Sequence, residues 1–450
     1  FYRLPHPGDY GLRYSYGEET AARGGNVMIK LLCCALALLL SSTTVSALTI
    51  DQAVKDALQQ NPRIQQVLAL SAAAESKADK ALAPFWPRLD AGYSYWREEQ
   101  DPALSSRNLS QIETRASYNL FNGGSDWHRR DQAQQLAATA GYQQRSVIAD
   151  TVLDVKQAYI EVLRAERTVE TEQKSVELLQ QQQRNTRLRH EQGLLARNEL
   201  LRVDVEMATA KQILAQAEGR LQVARQTLAQ TLGRALSTDE EITDFTLESA
   251  PLETEAALRE EMFQSRSELK FLRSQLAADQ AGYKAVRGDY LPDLDLHLSY
   301  NRFGNDSLPE TGDADYDSES KAMLQANWTL FSGFDTRYEL ASRGHEMRAR
   351  HHEIKATEDR LTLQLQTALE AFHVSERNLV TAETSVLQAE ENYRVNENRY
   401  QANVASTVDL LDAQEFLTRA RNERVKAQYD LYRSAAVIER VLERGPTLAE

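Results

Sequence analysis

Cysteine is almost absent. The 450 residues hold two, Cys33 and Cys34, side by side. Both lie in MIKLLCCALALLLSSTTVSA, residues 28–47. Lys30, an apolar core over Leu31–Leu40 and the small-residue pattern Val45-Ser46-Ala47 make this a secretory signal peptide. Residues 1–27 show no apolar periodicity and are read as a non-native upstream extension. A chain cleaved after Ala47 keeps no cysteine, which excludes disulfides and thiol chemistry. Neither cysteine stands at the cleavage point, which argues against a lipid anchor. The apolar run is also well short of the ~20 residues a helical span needs.

Positive charge is scarce. The formal net charge is -14, which argues against nucleic acid as a partner. Residues 1–47 carry four basic and three acidic residues, so the remainder has 48 against 63, or -15. Catalytic signatures are missing too: there is no phosphate loop, nucleophile elbow or paired catalytic carboxylate motif. His345 and His352 share a helix face two turns apart, too far to share an ion, and with His351 they read as solvated. The expectation is therefore no enzyme, no metal and no cofactor. An acidic exported chain without a later apolar span fits a bacterial envelope protein that is not an inner-membrane helical one.

Helix breakers are missing over long stretches. From about 125 to 190 there is no Pro, and Gly only at 141; about 335 to 400 behaves alike. Beyond breaks at 191–197 and 401–407 the apolar spacing becomes strictly heptad, from Leu200 through Val203, Met207 and Ala210 to Leu228, and from Leu410 to Val441. Arg424 and Ser434 are the exceptions in the second run. This is a coiled-coil seam, with alanines that let helices approach closely.

Strands appear in two places. In 88–97, Leu89, Ala91, Tyr93 and Tyr95 alternate with Arg88, Asp90, Gly92 and Ser94; in 293–301, Leu294, Leu296, Leu298 and Tyr300 alternate with polar residues. A second alternating run follows each, at 112–121 and 321–331, across polar loops at 98–110 and 304–319. Period two over such lengths predicts hairpins with one apolar face. That face carries tyrosine and tryptophan, as membrane-spanning strands do at interfaces. Four strands cannot close, and an open edge is not tolerated in lipid, so copies must pool strands. Two copies give eight and three give twelve; Arg88, Asp90, Asp293, Asp295 and Lys321 on the inner face favour a wet lumen.

Lengths restrict the topology. A helix of ~66 residues rises roughly 100 Å. The return helix, ~197–233, covers about 55 Å, and ~255–288 about 50 Å, so these two are expected to stack end to end. The helix at ~407–443 is then completed by the first one, ~50–83, which starts at a capping-box pattern, Thr49-x-x-Gln52, and restarts at Asn61-Pro62. The chain is thus an internally duplicated α+β protein. Residues 48–250 and 251–450 each hold a helix, a hairpin (88–121 and 293–331), a long helix and a return helix.

The duplicated plan, the LFxG at 120–123 and 330–333, and RYQANVASTVDLLDA at 399–413 resemble the TolC-like outer membrane efflux family over essentially all of 48–443. The resemblance implies a long helical coiled-coil barrel plus four transmembrane strands per protomer, in a homotrimer sharing a 12-stranded barrel. It implies a channel-tunnel in outer membrane lipid, the exit duct of a tripartite efflux or type I secretion system. The implied partners are a periplasmic adaptor (membrane fusion) protein and an inner-membrane pump of RND or ABC type. Phe121 and Phe331 would end strands at the periplasmic edge of the membrane, with Gly123 and Gly333 turning the chain into helix. Tyr400, Asp409 and Asp412 match the family's gated periplasmic aperture. Gly193, Leu195, Asn403 and Val404 would lie at the adaptor-docking tips. A trimer would bring Asp409 and Asp412 into carboxylate rings that select cations and resist full ionisation. Two positions depart from the family. Asn403 replaces the turn glycine, and Ala405 stands where some members have a latching basic residue. The rival readings are a periplasmic coiled-coil scaffold without a lumen, which has no use for tyrosine-bearing strands, and a passive porin, which has no use for such long helices.

Overall fold

Each long helix and return helix of the first half has a counterpart 210 residues later. In the computed structural model, α3 (Ser125–Glu191) and α7 (Asp335–Gln401) each run 67 residues. The return helices α4 (Arg197–Leu232) and α8 (Thr407–Leu442) each run 36. Ahead of α3 come α1 (Ile50–Gln60), α2 (Pro62–Lys80), a 3-10 turn at Ala83–Phe85, and strands β1 (Arg88–Arg97) and β2 (Asn108–Asn122). Ahead of α7 come α5 (Glu255–Ser265), α6 (Ser267–Gly288), β3 (Asp293–Gly304) and β4 (Ser318–Asn327). The structure describes residues 47–97, 108–237, 240–246, 253–304 and 318–445. The expected upstream extension, the expected signal peptide up to residue 46 and most of the two expected strand-connecting loops lie outside the described residues.

The start of the first helix follows from its cap. Thr49 Oγ1 accepts from Gln52 N at 3.3 Å, but the Gln52 amide donates forward to Asp56, so only half of the expected capping box forms. Asn61 starts α2 with its own side chain, accepting from Arg63 N at 2.8 Å ahead of Pro62. The single helix expected at ~255–288 is broken in the same way. Arg266 is extended (ψ 117) and separates α5 from α6. No Pro or Gly marks that break.

The two breaks correct the expected stacking. Asn61 Nδ2 donates to Thr231 O at 2.7 Å, in the last turn of α4. Arg266 Nη1 donates to Arg440 O at 2.6 Å, in the last turn of α8. So α4 continues into α2, and α8 into α6. Neither α4 with α5–α6 nor α8 with α1–α2 forms a column. Length could not decide this, because α2 and α6 are nearly equal. The bonds to orphan carbonyls at the helix ends do decide it.

Three left-handed residues mark where the copies diverged. Phe334, Asn403 and Glu443 have φ of 70, 57 and 55; their counterparts are Gly124, Gly193 and Gly233. A non-glycine residue pays about 1–2 kcal/mol there. Each uses the side chain that glycine lacks. Phe334 packs edge-on to Phe331 at 5.3 Å, Asn403 Oδ1 accepts from Arg189, and the Glu443 carboxylate accepts from Ser267 N and Oγ at 2.5 Å each.

The core is carried by the mid-level of the long helices. One cluster joins Ala53, Val54, Ile64, Val155, Tyr159, Leu228 and Leu232; a second joins Leu258, Met262, Leu269, Leu361, Leu365 and Leu442. Tyr159 Oη lies within hydrogen-bond distance of Leu48 O at 2.8 Å and Thr243 O at 2.6 Å, fixing the residues just ahead of α1 and the inter-repeat segment to α3. Each large aliphatic side chain buried here is worth roughly 1.5–3 kcal/mol. Further along, Val176, Leu179, Val203, Met207 and Ala210 form the coiled-coil seam.

The hairpins join into one antiparallel sheet of order β1-β2-β3-β4, with β1 and β4 as unpaired edges. Its register makes one apolar face: Leu89, Ala116, Leu298 and Ala322 form a row, and Tyr118, Leu296 and Leu324 another. The opposite face is polar, with Gln111 donating to Asn301 at 3.1 Å and Asn119 to Asp295 at 2.8 Å. Simple alternation puts Leu120 on the apolar face. The register instead shifts between Asn119 and Phe121, so Leu120 is the extra residue and Phe121 pairs with Leu294. The strand expected to reach 331 ends at Asn327, opposite Asp293, the first residue of β3. Phe331 therefore lies beyond the sheet within one chain. Among the described residues no helix is long and apolar enough to cross a membrane.

Candidate functional site

Two tight turns, 192–196 and 402–406, close the helical hairpins. They share one geometry. Leu194 N donates to Arg189 O at 2.8 Å, and Val404 N to Arg399 O at 2.8 Å. Gly193 and Asn403 supply the left-handed residue that this six-to-one bond requires. The apolar residue at each apex is Leu194 and Val404, both strongly exposed. Leu195 is half-buried instead, with its carbonyl 2.9 Å from His190 Nδ1.

Beyond the second turn Ser406 starts α8 with a complete capping box. Asp409 N donates to Ser406 Oγ at 3.2 Å, and Ser406 N donates to Asp409 Oδ2 at 2.9 Å. Asp409 is exposed, and these bonds from the Ser406 backbone and hydroxyl hold its carboxyl below the usual range. Within a protomer that is the reverse of the resisted ionisation expected from rings. Asp412 lies one turn on, on the same face, exposed and with no hydrogen-bond or ion-pair partner among the described residues. The two carboxylates thus differ: one is tied to a helix end, the other is free.

Tyr400 is buried, 5% exposed, although it is the penultimate residue of α7. Its hydroxyl has no partner among the described residues. Its ring is covered by Arg189 from the other hairpin, the guanidinium carbon 4.7 Å from the centroid. Arg189 Nη1 also donates to Tyr400 O at 3.3 Å and Asn403 Oδ1 at 3.1 Å. One arginine therefore binds both turns. Sequence reasoning did not single it out. The available signal was an arginine in the last turn of α3, four residues ahead of the turn glycine, where cations favour a helix end. Away from the tip, Gln414 Nε2 donates to Ser175 O at 3.2 Å and Asn422 Nδ2 to buried Glu172 at 2.6 Å, tying α8 to α3. His345, His351 and His352 are exposed along α7.

At the other end, Gly123 brings β2 into α3 against α6. A Cβ there would stand 2.1 Å from Gly288 O, so the backbone approach tolerates no side chain. Ser125 Oγ secures it, donating to Ala285 O at 2.7 Å. Gly333 has the same φ of 67 and nothing within 4 Å. Aromatic rings cluster at this level: Phe85 packs edge-on to Trp127 at 4.8 Å, and Trp328 Nε1 donates to Tyr290 O at 3.1 Å.

This arrangement is found in known proteins. The family described as "Outer membrane efflux protein" matches residues 53–234 and 258–443. The outer membrane protein TolC of Vibrio cholerae is 24% identical over 399 residues, 86% of this chain and 89% of that protein. The alkaline protease secretion protein AprF of Pseudomonas aeruginosa is 25% identical over 401 residues, 83% of this chain and 80% of that protein. The solved CmeC outer membrane channel of Campylobacter jejuni superposes with a TM-score of 0.78 at 13% identity, covering 87% of this chain and 85% of that one, which shows the fold. The chain belongs to the outer membrane efflux protein family, a family of transport proteins, and is an outer membrane exit duct whose strands lie in that membrane and whose long helices reach into the periplasm.

Proposed function

We propose that this chain works as a homotrimer, three sheets closing one 12-stranded barrel above a helical tunnel gated at its tip. The observation that carries this is the sheet: four strands, one apolar face exposed, and both edges unpaired. Such a sheet is stable in lipid only when closed, and its polar face suits an aqueous lumen. A periplasmic adaptor and an inner-membrane pump of RND or ABC type would complete the path. The likeness to a protease secretion protein fits type I secretion, and the channel neighbours fit efflux.

The gate falls to Tyr400, Asp409 and Asp412, with Arg189 in the place of the latch missing at Ala405. Asp412 supplies the free charge of a ring, while Asp409 fixes the helix start beside it. Leu194 and Val404, flanked by Gly193, Leu195 and Asn403, offer an adaptor its apolar contacts at two equivalent tips. Repeat limits at 48–250 and 251–450 follow the same plan. Single-channel recording in planar bilayers tests the gate. The expected result is a small, cation-selective conductance that rises and loses selectivity in Asp409→Ala/Asp412→Ala. A large conductance, unchanged in that variant, would remove these residues from the gate.

A further inference from the structure

We infer that the apolar face of the sheet carries a phosphate site at its extracellular end, formed by Arg302 with Arg97, and that its ligand is the phosphorylated sugar headgroup of outer-leaflet lipopolysaccharide. This needs only strands that lie in the outer membrane; neither the trimer nor the gate enters it.

Register gives the placement. Arg302 pairs with Ile112 and Ser318, and Ile112 with Tyr93, so the four form one row. Side chains alternate along a strand, and Leu296, Leu298 and Tyr300 precede Arg302 at even steps. Arg302 therefore stands on the apolar face. Leu89, Ala91, Tyr93 and Tyr95 lead to Arg97 in the same way. Both arginines are exposed. No other described strand residue on that face is charged.

Ion pairing separates these two from the rest. The strands hold three further basic residues of the Lys and Arg type, Arg88, Arg115 and Lys321, all on the polar face. Each pairs with an acid two residues away on its own strand: Arg88 with Asp90 at 2.9 Å, Arg115 with Glu113, and Lys321 with Glu319 at 3.6 Å. Arg97 and Arg302 have no ion-pair partner among the described residues, and their own face has no acid to supply one.

Depth fits a headgroup. Leu294 pairs with Phe121 at the periplasmic end, and Arg302 lies eight residues further along β3. At about 3.4 Å per residue and a tilt near 40° this is roughly 20 Å along the membrane normal, against an apolar band about 25 Å tall. Arg302 thus sits at the outer boundary, where a lipid-facing arginine costs little. Tyr93, Tyr95 and Tyr300 form the aromatic girdle around it. Arg97 stands two strands across and four residues further out, roughly 17 Å away. Two extended side chains at that spacing suit a headgroup with a phosphate at each end.

Charge chooses the ligand. A guanidinium matches phosphate in a bidentate pair. A general affinity for phospholipid phosphates would place cations at both girdles, but the periplasmic one, at Tyr118, Phe121 and Leu294, has none on this face. Cations at the outer girdle alone fit the leaflet whose phosphates are carried on sugars, and tyrosine rings offer those sugars flat apolar surfaces.

Native mass spectrometry of the detergent-purified full chain, titrated with bisphosphorylated lipid A, tests the site. Wild type should retain the lipid. Arg302→Gln should weaken binding about tenfold and Arg97→Gln/Arg302→Gln further, with Arg302→Lys recovering part. Arg115→Gln, on the polar face, should bind as wild type does; an equal loss there would assign the effect to net charge and overturn the site. A second arm needs no variant: dephosphorylated lipid A should bind wild type at least about tenfold more weakly. Equal binding of the two lipids, or of lipid A by wild type and Arg97→Gln/Arg302→Gln, overturns the site and leaves the duct intact. Phosphatidylglycerol bound as tightly as lipid A would overturn the lipopolysaccharide assignment in favour of any anionic lipid.

Discussion

Arg189 and Tyr400 lie on different hairpins, 211 positions apart, yet the guanidinium covers the ring at 4.7 Å and bonds its carbonyl. The same arginine reaches Asn403. A contact of this kind holds two helix pairs at one separation, which is what an aperture needs if opening means splaying them. Stacking and the two bonds together are worth roughly 1–2 kcal/mol at a partly exposed site. Arg189→Ala should therefore raise the open fraction about 5- to 30-fold, read as open time in single-channel records. Arg189→Lys should recover only part, since an ammonium lacks the planar face and fork. Wild-type open times in Arg189→Ala would show that the contact is not the latch.

The capping box sets the pH response of the second turn. Hydrogen bonds from Ser406 lower the carboxyl of Asp409 relative to an unfolded chain, where it titrates near about 3.9. A depressed carboxyl contributes its full stabilisation above the unfolded value and loses it as pH falls through the folded one. The turn at 402–406 should stay closed from neutral pH to about 5 and fray only in stronger acid. Amide exchange at 406–409, corrected for its intrinsic pH dependence, measures this. Protection lost already near pH 6 would assign the response to another group. In Asp409→Asn the acid step should disappear.

The two column junctions use different chemistry, and their sensitivities should differ. Asn61 bridges α4 to α2 with neutral bonds. At the other junction Arg440, 8% exposed, holds Asp150 at 2.7 Å and Glu268 at 3.1 Å, with Arg266 beside it. Burial, and then the neighbouring Arg440, pull the Arg266 guanidinium below its usual value. Removing one member of a buried ionic cluster strands the rest. Because Asp150 is partly exposed, Arg440→Ala should cost toward the lower end of about 3–5 kcal/mol. Asn61→Ala should cost about 1–2 kcal/mol, a cap and one bond. Exchange protection across α6 and α2 in the two variants compares them; equal losses would contradict the ranking.

Much of this was legible in sequence because the signals are local. Missing Pro and Gly, heptads and period-two runs placed α3, α7, the return helices and the strands, and the motif at 399–413 located the tip. What escaped depends on distant partners. The break at Arg266 has no local breaker and is held by carbonyls of α8. The bulge at Leu120 hides because alternation runs straight through it and only pairing with β3 shifts the phase. Arg189 looks like an ordinary helix-end cation until the second hairpin is beside it.

Gly123 and Gly333 offer the clearest separation of protomer folding from assembly. Both have φ 67, so alanine costs each about 1–2 kcal/mol in backbone strain. Gly123→Ala adds a Cβ 2.1 Å from Gly288 O within the chain, a clash with backbone that cannot rotate away. Gly333→Ala meets nothing within 4 Å of its own chain. If a second copy closes there as α6 closes on Gly123, the same Cβ meets the backbone near Ala83 of that copy. Gly123→Ala should thus lower the yield of folded protein outright. Gly333→Ala should give folded protomers, by helix content and protease resistance, that assemble poorly. Trimers of wild-type yield and stability from Gly333→Ala would show that the two halves are not repeated across the interface.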